Sequence, residues 1–184
     1  MRLRYVVSLG LASLSLMVSC KSEVPVTTGE GSLLANDFEA SAGWNDVQEG
    51  LLTTDKAHSG RWSVQTNPGI PFSYTYVRQL DRLDPKLTRA YELRGWALRA
   101  STGSTARLVV QVTRSRTDTA KVFYRTLDIG KVVKSFNKWQ AVTLPVTLPA
   151  TAAATNEVKI YLWNDQATAP TYVDDLQLTA VAAN

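Results

Sequence analysis

Apolar residues at every second position recur along this chain. Leu108, Val110 and Val112 alternate with Val109, Gln111 and Thr113, and Val158, Ile160 and Leu162 alternate with Lys159, Tyr161 and Trp163. A period of two puts one set on the core side of a strand and the other on its opposite face. Segments rich in Val, Ile, Thr, Tyr and Trp, separated by Gly, Pro, Asn, Asp and Ser, predict strands at 33–38, 61–66, 74–80, 91–100, 106–114, 122–129, 139–144, 158–163 and 172–179. No amphipathic helix is predicted between them, and the Ala-Thr stretch at 150–155 reads as a loop. Eight or nine antiparallel strands with half-polar faces fit an all-β jelly-roll sandwich of two antiparallel sheets. Tyr91/Leu93 and Trp96/Leu98 sit in opposite phases, which predicts a bulge near Gly95.

The first 20 residues stand apart from this rhythm. Arg2 and Arg4 precede an apolar run from Tyr5 to Val18, and Ser19-Cys20 closes it, the layout of an export signal. The run is shorter than the ~20 residues a spanning helix needs. A small residue followed by cysteine resembles the bacterial lipobox, whose cysteine is diacylated and becomes the mature N-terminus. Cys20 is the only cysteine, so an exported product has no internal disulfide. Acyl chains on Cys20 would hold the protein to a membrane through the lipid alone, at the outer membrane or cell surface. The competing reading is an ordinary signal cut near a chance cysteine. Residues 21–31, polar with Pro25 and two glycines, read as a tether, and 32–184 as one domain.

Loss of residues 1–20 removes Arg2 and Arg4 and no acid, lowering the formal charge from +4 to +2. No run of Lys and Arg stands out in the remainder, which argues against a nucleic-acid partner.

Five pieces in chain order carry a family resemblance: Asp37-Phe38-Glu39, then Ala57-His58-Ser59-Gly60-Arg61-Trp62-Ser63, then Tyr91-Glu92-Leu93-Arg94-Gly95-Trp96. Lys138-Trp139-Gln140-Ala141-Val142 and Tyr172-Val173-Asp174-Asp175-Leu176-Gln177-Leu178 follow. Together they resemble the CenC-type carbohydrate-binding modules of the galactose-binding-like jelly-roll group. The resemblance implies a carbohydrate partner, a poly- or oligosaccharide. It also implies a structural calcium where the first strand, the Ser-Gly loop and the last strand meet. Glu39 and Asp174 would supply carboxylates to that ion, and the loop around His58 and Ser59 would supply carbonyls. Asp174 has the parity of Leu176 and Leu178, which aims it at the core, where an unpaired carboxylate is costly. A cation would relieve that cost; so would backbone N–H groups of a turn, or an arginine.

Sugar binding needs aromatic faces for the C–H side of a pyranose and polar groups beside them. Tyr161 and Trp163, opposite the apolar set of their strand, are the candidate platform, with Asn164 at the strand end and Gln111 and Arg125 as polar partners on non-core faces. The alternative is that Trp163 is core. Trp44, in Gly43-Trp44-Asn45-Asp46, lines a cleft mouth or covers a core edge. Trp62, Trp139 and Trp96 read as structural.

A non-catalytic protein is expected. His58 is the only histidine, Gly-rich phosphate loops are absent, and no strand carries closely spaced Glu and Asp. Two alternatives stand: a structural or protein-binding surface lipoprotein without a sugar platform, and a small glycan hydrolase or lyase with two carboxylates facing across a cleft.

Overall fold

The computed structural model describes residues 31–40 and 51–182. Residues 1–30, with Cys20, and Trp44 lie outside the described residues. The strands are β1 (Ser32–Asn36), β2 (Leu52–Thr53), β3 (Ser63–Thr66), β4 (Tyr76–Gln79), β5 (Ala90–Arg99), β6 (Arg107–Thr113), β7 (Lys121–Asp128), β8 (Gln140–Thr147), β9 (Glu157–Trp163) and β10 (Thr171–Ala180). Two single-turn helices, α1 (Leu80–Leu83) and α2 (Ile129–Val132), follow β4 and β7. One sheet has the order β2-β3-β10-β5-β8, with β1 also on β10; the other has the order β4-β9-β6-β7. Every pairing is antiparallel. The expected jelly-roll sandwich is the observed one. β2, two residues long, has no periodicity to read. β8 continues through Pro145 because it is an edge strand, where a missing N–H costs no ladder bond.

Alternation builds the core. Leu108, Val110 and Val112 of β6 and Val158, Ile160 and Leu162 of β9 meet Leu93 and Ala97 of β5, Val142, Leu144 and Val146 of β8, and Val173, Leu176 and Leu178 of β10. At ~25 cal/mol per Å² of apolar surface removed from water, this layer is the main stabilising term.

The bulge expected near Gly95 lies instead on the partner strand. β5 pairs with β8 without a break from Ala90 to Ala97, while the register against β10 shifts between Asp174 and Gln177. Val173 and Leu176, three residues apart, both enter the core, which requires one extra residue between them. Asp175 takes that strain with φ 49°. Gly95 permits it, because a Cβ there would stand 2.7 Å from Leu176 Cδ2 and 3.2 Å from the Asp174 carbonyl oxygen. The same bulge corrects the expected direction of Asp174. Its register partner is Trp96, so it lies with Tyr172 on the sheet's outer side, and a loop buries it there rather than the core.

Candidate functional site

The outer face of the four-stranded sheet follows from register, because directly opposed residues share a face. Trp163 pairs with Arg107, Tyr161 with Val109 and Lys159 with Gln111. On the far side Val109 pairs with Thr126 and Gln111 with Tyr124. Phe72, in the segment entering β4, bridges to Trp163 and sets its ring edge-on to Tyr161, with centroids 5.8 Å apart. Phe72 is 50% and Tyr124 41% exposed. Val109 is 0% exposed although it points outward, so it forms the apolar floor beneath these side chains.

Polar groups are interleaved with the rings. The Tyr161 hydroxyl donates to Gln111 Oε1 at 2.8 Å. Burial first, and then the Tyr124 hydroxyl, push the Tyr161 phenol up to about 12, so it stays protonated as a donor. Arg107 Nε donates to Asp165 Oδ2 at 2.5 Å, and its guanidinium carbon lies 5.9 Å from the Trp163 ring centroid. Lys121 Nζ sits 4.8 Å from the centre of Tyr124. The arrangement offers ring faces and hydrogen-bonding groups on one solvent-facing surface.

The structure thus brings Tyr161, Trp163 and Gln111 together and separates them from Arg125. Arg125 pairs with Val110 and shares the phase of Phe123 and Leu127, which pack on the core. Its expected place on the non-core face is corrected: it is exposed because β7 is an edge. Asn164 spends both ends of its amide on backbone, Nδ2 donating to the Asn67 carbonyl and Oδ1 accepting from Ala167 N–H, each at 2.6 Å. It shapes the turn after β9. Phe72, Tyr124 and Arg107 are site residues that the sequence reading did not find. Tyr124 had a signal, since it alternates with Thr126, but Val122-Phe123-Tyr124 is apolar in both phases; Phe72 had none.

The second cluster sits at the β10 bulge, on the other sheet. Asp174, 0% exposed, accepts N–H from His58 at 2.7 Å and Ser59 at 3.3 Å on Oδ2, and from Asp175 at 2.7 Å on Oδ1. Burial first, opposed by the His58 amide, together with the neighbouring Asp175 charge, raises its pKa to about 7. Asp175 accepts from Ser59 Oγ at 2.6 Å and pairs with His58 Nδ1 at 2.5 Å. Glu39 holds the other end of the same loop, its Oε1 accepting from the amides of Arg61 and Trp62 at 2.7 Å each. Gly60 (φ 55°) lies between, where a Cβ would strike the Glu39 carboxyl. Among the described residues no three His, Cys, Asp or Glu side chains gather as a metal site. Two adjacent carboxylates at a buried bulge fit a hard cation's chemistry, and further oxygens would have to be backbone carbonyls of the loop. His58, Ser59 and Asp175 do not form a nucleophilic triad, because Asp175, not the histidine, is the central member.

No known protein family's sequence profile matches the chain, and no curated protein matches it. Solved structures do. The chain is similar in fold to the CBM22-1 xylan-binding domain of Paenibacillus barcinonensis Xyn10C, at 19% identity and TM-score 0.52 over 83% of this chain and 96% of that one. The C-terminal family 22 carbohydrate binding module of Clostridium thermocellum Xyn10B matches at 14% identity and TM-score 0.54 over 84% and 96%. A family 16 carbohydrate binding module matches at 16% identity and TM-score 0.51 over 83% and 98%. At these identities the likeness establishes the jelly-roll fold.

Proposed function

We propose that this chain is a lipid-anchored, non-catalytic carbohydrate-binding module, CenC-like in type, whose glycan lies across the outer face of the four-stranded sheet. The observation that carries the reading is the row of Phe72, Trp163, Tyr161 and Tyr124 beside Gln111 and Arg107 on a solvent-facing sheet. Rings of this kind stack on the C–H face of a pyranose while the neighbouring donors and acceptors read its hydroxyls. Xylan is the first glycan to try, since modules of the same fold are described as xylan-binding. Carboxylates bordering the face are already engaged, which supports binding over hydrolysis. Glu157 lies 3.3 Å from Lys159, Asp165 holds Arg107, and Asp128 accepts from Lys131 N–H.

The test is a glycan array that includes xylan, probed with the soluble protein, followed by chemical-shift mapping of the best glycan. Perturbations centred on Phe72, Tyr124, Tyr161 and Trp163 are expected; retention of no glycan overturns the proposal. The anchor belongs to the same proposal, supported by the apolar signal ending in Ser19-Cys20. Labelled fatty acid should enter the native chain and not Cys20→Ala. So does a structural calcium held by Asp174 and Glu39 with loop carbonyls, supported by the buried Asp174 carboxylate and by Glu39, which binds the other end of the same loop.

A further inference from the structure

Beyond the aromatic row, at the end of β9 farthest from Trp163, a groove is lined by Val77, Arg78, Gln79, Arg82, Arg116 and Glu157. Its Val77, Gln79 and Glu157 belong to the same surface by register, because Val77 pairs with Lys159, Gln79 with Glu157 and Glu157 with Thr113; Arg78 pairs with core-facing Val158 and lines the groove from the exposed edge that β4 forms. Four residues of strand separate Tyr161 from Glu157, ~13 Å at ~3.3 Å per residue. A ligand lying along β9 passes from rings to groove.

Three arginines reach this groove from three separate elements: Arg78 from β4, Arg82 from α1 and Arg116 from the β6–β7 connection. All three are exposed, and among the described residues none forms an ion pair. Arg61 and Arg125 are likewise exposed without an ion pair among the described residues, but they stand singly, whereas other surface arginines are paired. Arg94 pairs with Glu92, Arg107 with Asp165 and Arg114 with Asp118. Glu157, the groove's own carboxylate, is held by Lys159, so it does not neutralise the arginines, and Asp81 on α1 makes no ion pair. Cations outnumber carboxylates around the groove, and the planar guanidinium fork matches a carboxylate in two parallel hydrogen bonds.

We infer that this groove takes a carboxylate carried by the bound glycan, so that the ligand is an acidic, uronate-bearing polysaccharide whose neutral rings stack on the aromatic row. The inference rests on the glycan-binding reading above. It assigns the two ends of one surface different tasks: the rings hold the sugar chain, and the arginines select its charged substituent.

The test compares glucuronic-acid-substituted xylan with the same polymer after its carboxyls are reduced to alcohols, titrated into the purified protein at low and high salt. The native polymer should bind at least tenfold more tightly, and the advantage should shrink as salt rises. Arg78→Gln/Arg82→Gln/Arg116→Gln should bind both polymers as the wild type binds the reduced one. Lys56→Gln/Arg94→Gln/Lys138→Gln, which removes three cations from the six-stranded sheet's side, should keep the full preference. Equal affinity of the wild type for native and reduced polymer overturns the inference and leaves the aromatic platform standing. Equal loss of preference in the two triple variants also overturns it, by showing a general charge effect. Binding of neither polymer overturns the platform and the inference together.

Discussion

The two sheets of this sandwich both carry tryptophan outside the shared core, and the two sets do opposite things. On the six-stranded sheet Trp96 is covered: the His58 ring stacks on it at 3.9 Å and 13°, and Trp139 meets the same imidazole edge-on at 5.8 Å. The loop that supplies His58 also buries Asp174. On the four-stranded sheet Trp163 and Tyr161, half-buried as Trp96 is, have Phe72 and Arg107 beside them, and the exposed Phe72 and Tyr124 lie on the same face. Residue type is the same. What sets Trp96 apart is the loop that crosses it, and the loop crosses where the β10 bulge leaves backbone donors and a carboxylate to satisfy each other.

The comparison can be broken by exchanging the expected outcomes. Trp96→Ala should be the most damaging change, removing the ring beneath His58 and opening the Asp174 pocket, at a cost of ~3–5 kcal/mol in urea unfolding. Trp163→Ala should cost less, about 1–2 kcal/mol, because its half-buried ring lies on the outer face and does not carry the loop that buries Asp174.

Next in size is a pH effect confined to the covered side. The folded Asp174 titrates near 7, above its unfolded value of 3.8. It is therefore protonated in the fold over a range where the unfolded chain is already ionised. Its contribution is fully present below about pH 4 and is lost as pH rises to about 7, by up to ~4 kcal/mol. Asp174→Asn should flatten that slope in unfolding curves taken across this range. Calcium should flatten it too, by binding the ionised form, and at a hundredfold its dissociation constant should add ~2.7 kcal/mol. Melting curves that chelator and added calcium leave unmoved would show that the ion does not bind.

Smaller than the pH effect is the one expected at Gly95. Alanine there must push Leu176 or the Asp174 carbonyl away, costing ~1–3 kcal/mol with glycan affinity unchanged. A loss of affinity instead would couple the two faces that this account keeps separate.

Much of this division was legible in the residues. In β6 and β9 every core-facing position, Leu108, Val110, Val112, Val158, Ile160 and Leu162, is apolar and buried, so the outward direction of Tyr161, Trp163 and Gln111 is legible from parity alone. Where parity breaks, the reading broke with it. Asp174 appears core-facing only if β10 is regular, and one inserted residue reverses it. Arg125 reads as outward-facing because Val122-Phe123-Tyr124 is apolar in both phases on an edge strand and leaves its phase unset. Phe72 sits in an aperiodic Pro-Phe-Ser segment, and only its bridge to Trp163 brings it to the platform. Glu39 and His58 could be singled out only through family resemblance, since their partners lie across the fold. Trp44 and Cys20 lie outside the described residues.

The central claim, that the glycan lies on the four-stranded sheet, is tested most directly by titrating xylan into the wild type, Trp163→Ala and Trp96→Ala, with urea unfolding of each run in parallel. The account predicts that Trp163→Ala loses at least about 2 kcal/mol of binding, some thirtyfold, while remaining folded with the smaller fall in its unfolding midpoint. It predicts that Trp96→Ala, under conditions where it remains folded, binds as the wild type does while its midpoint falls. A folded Trp163→Ala that binds with unchanged affinity would contradict it.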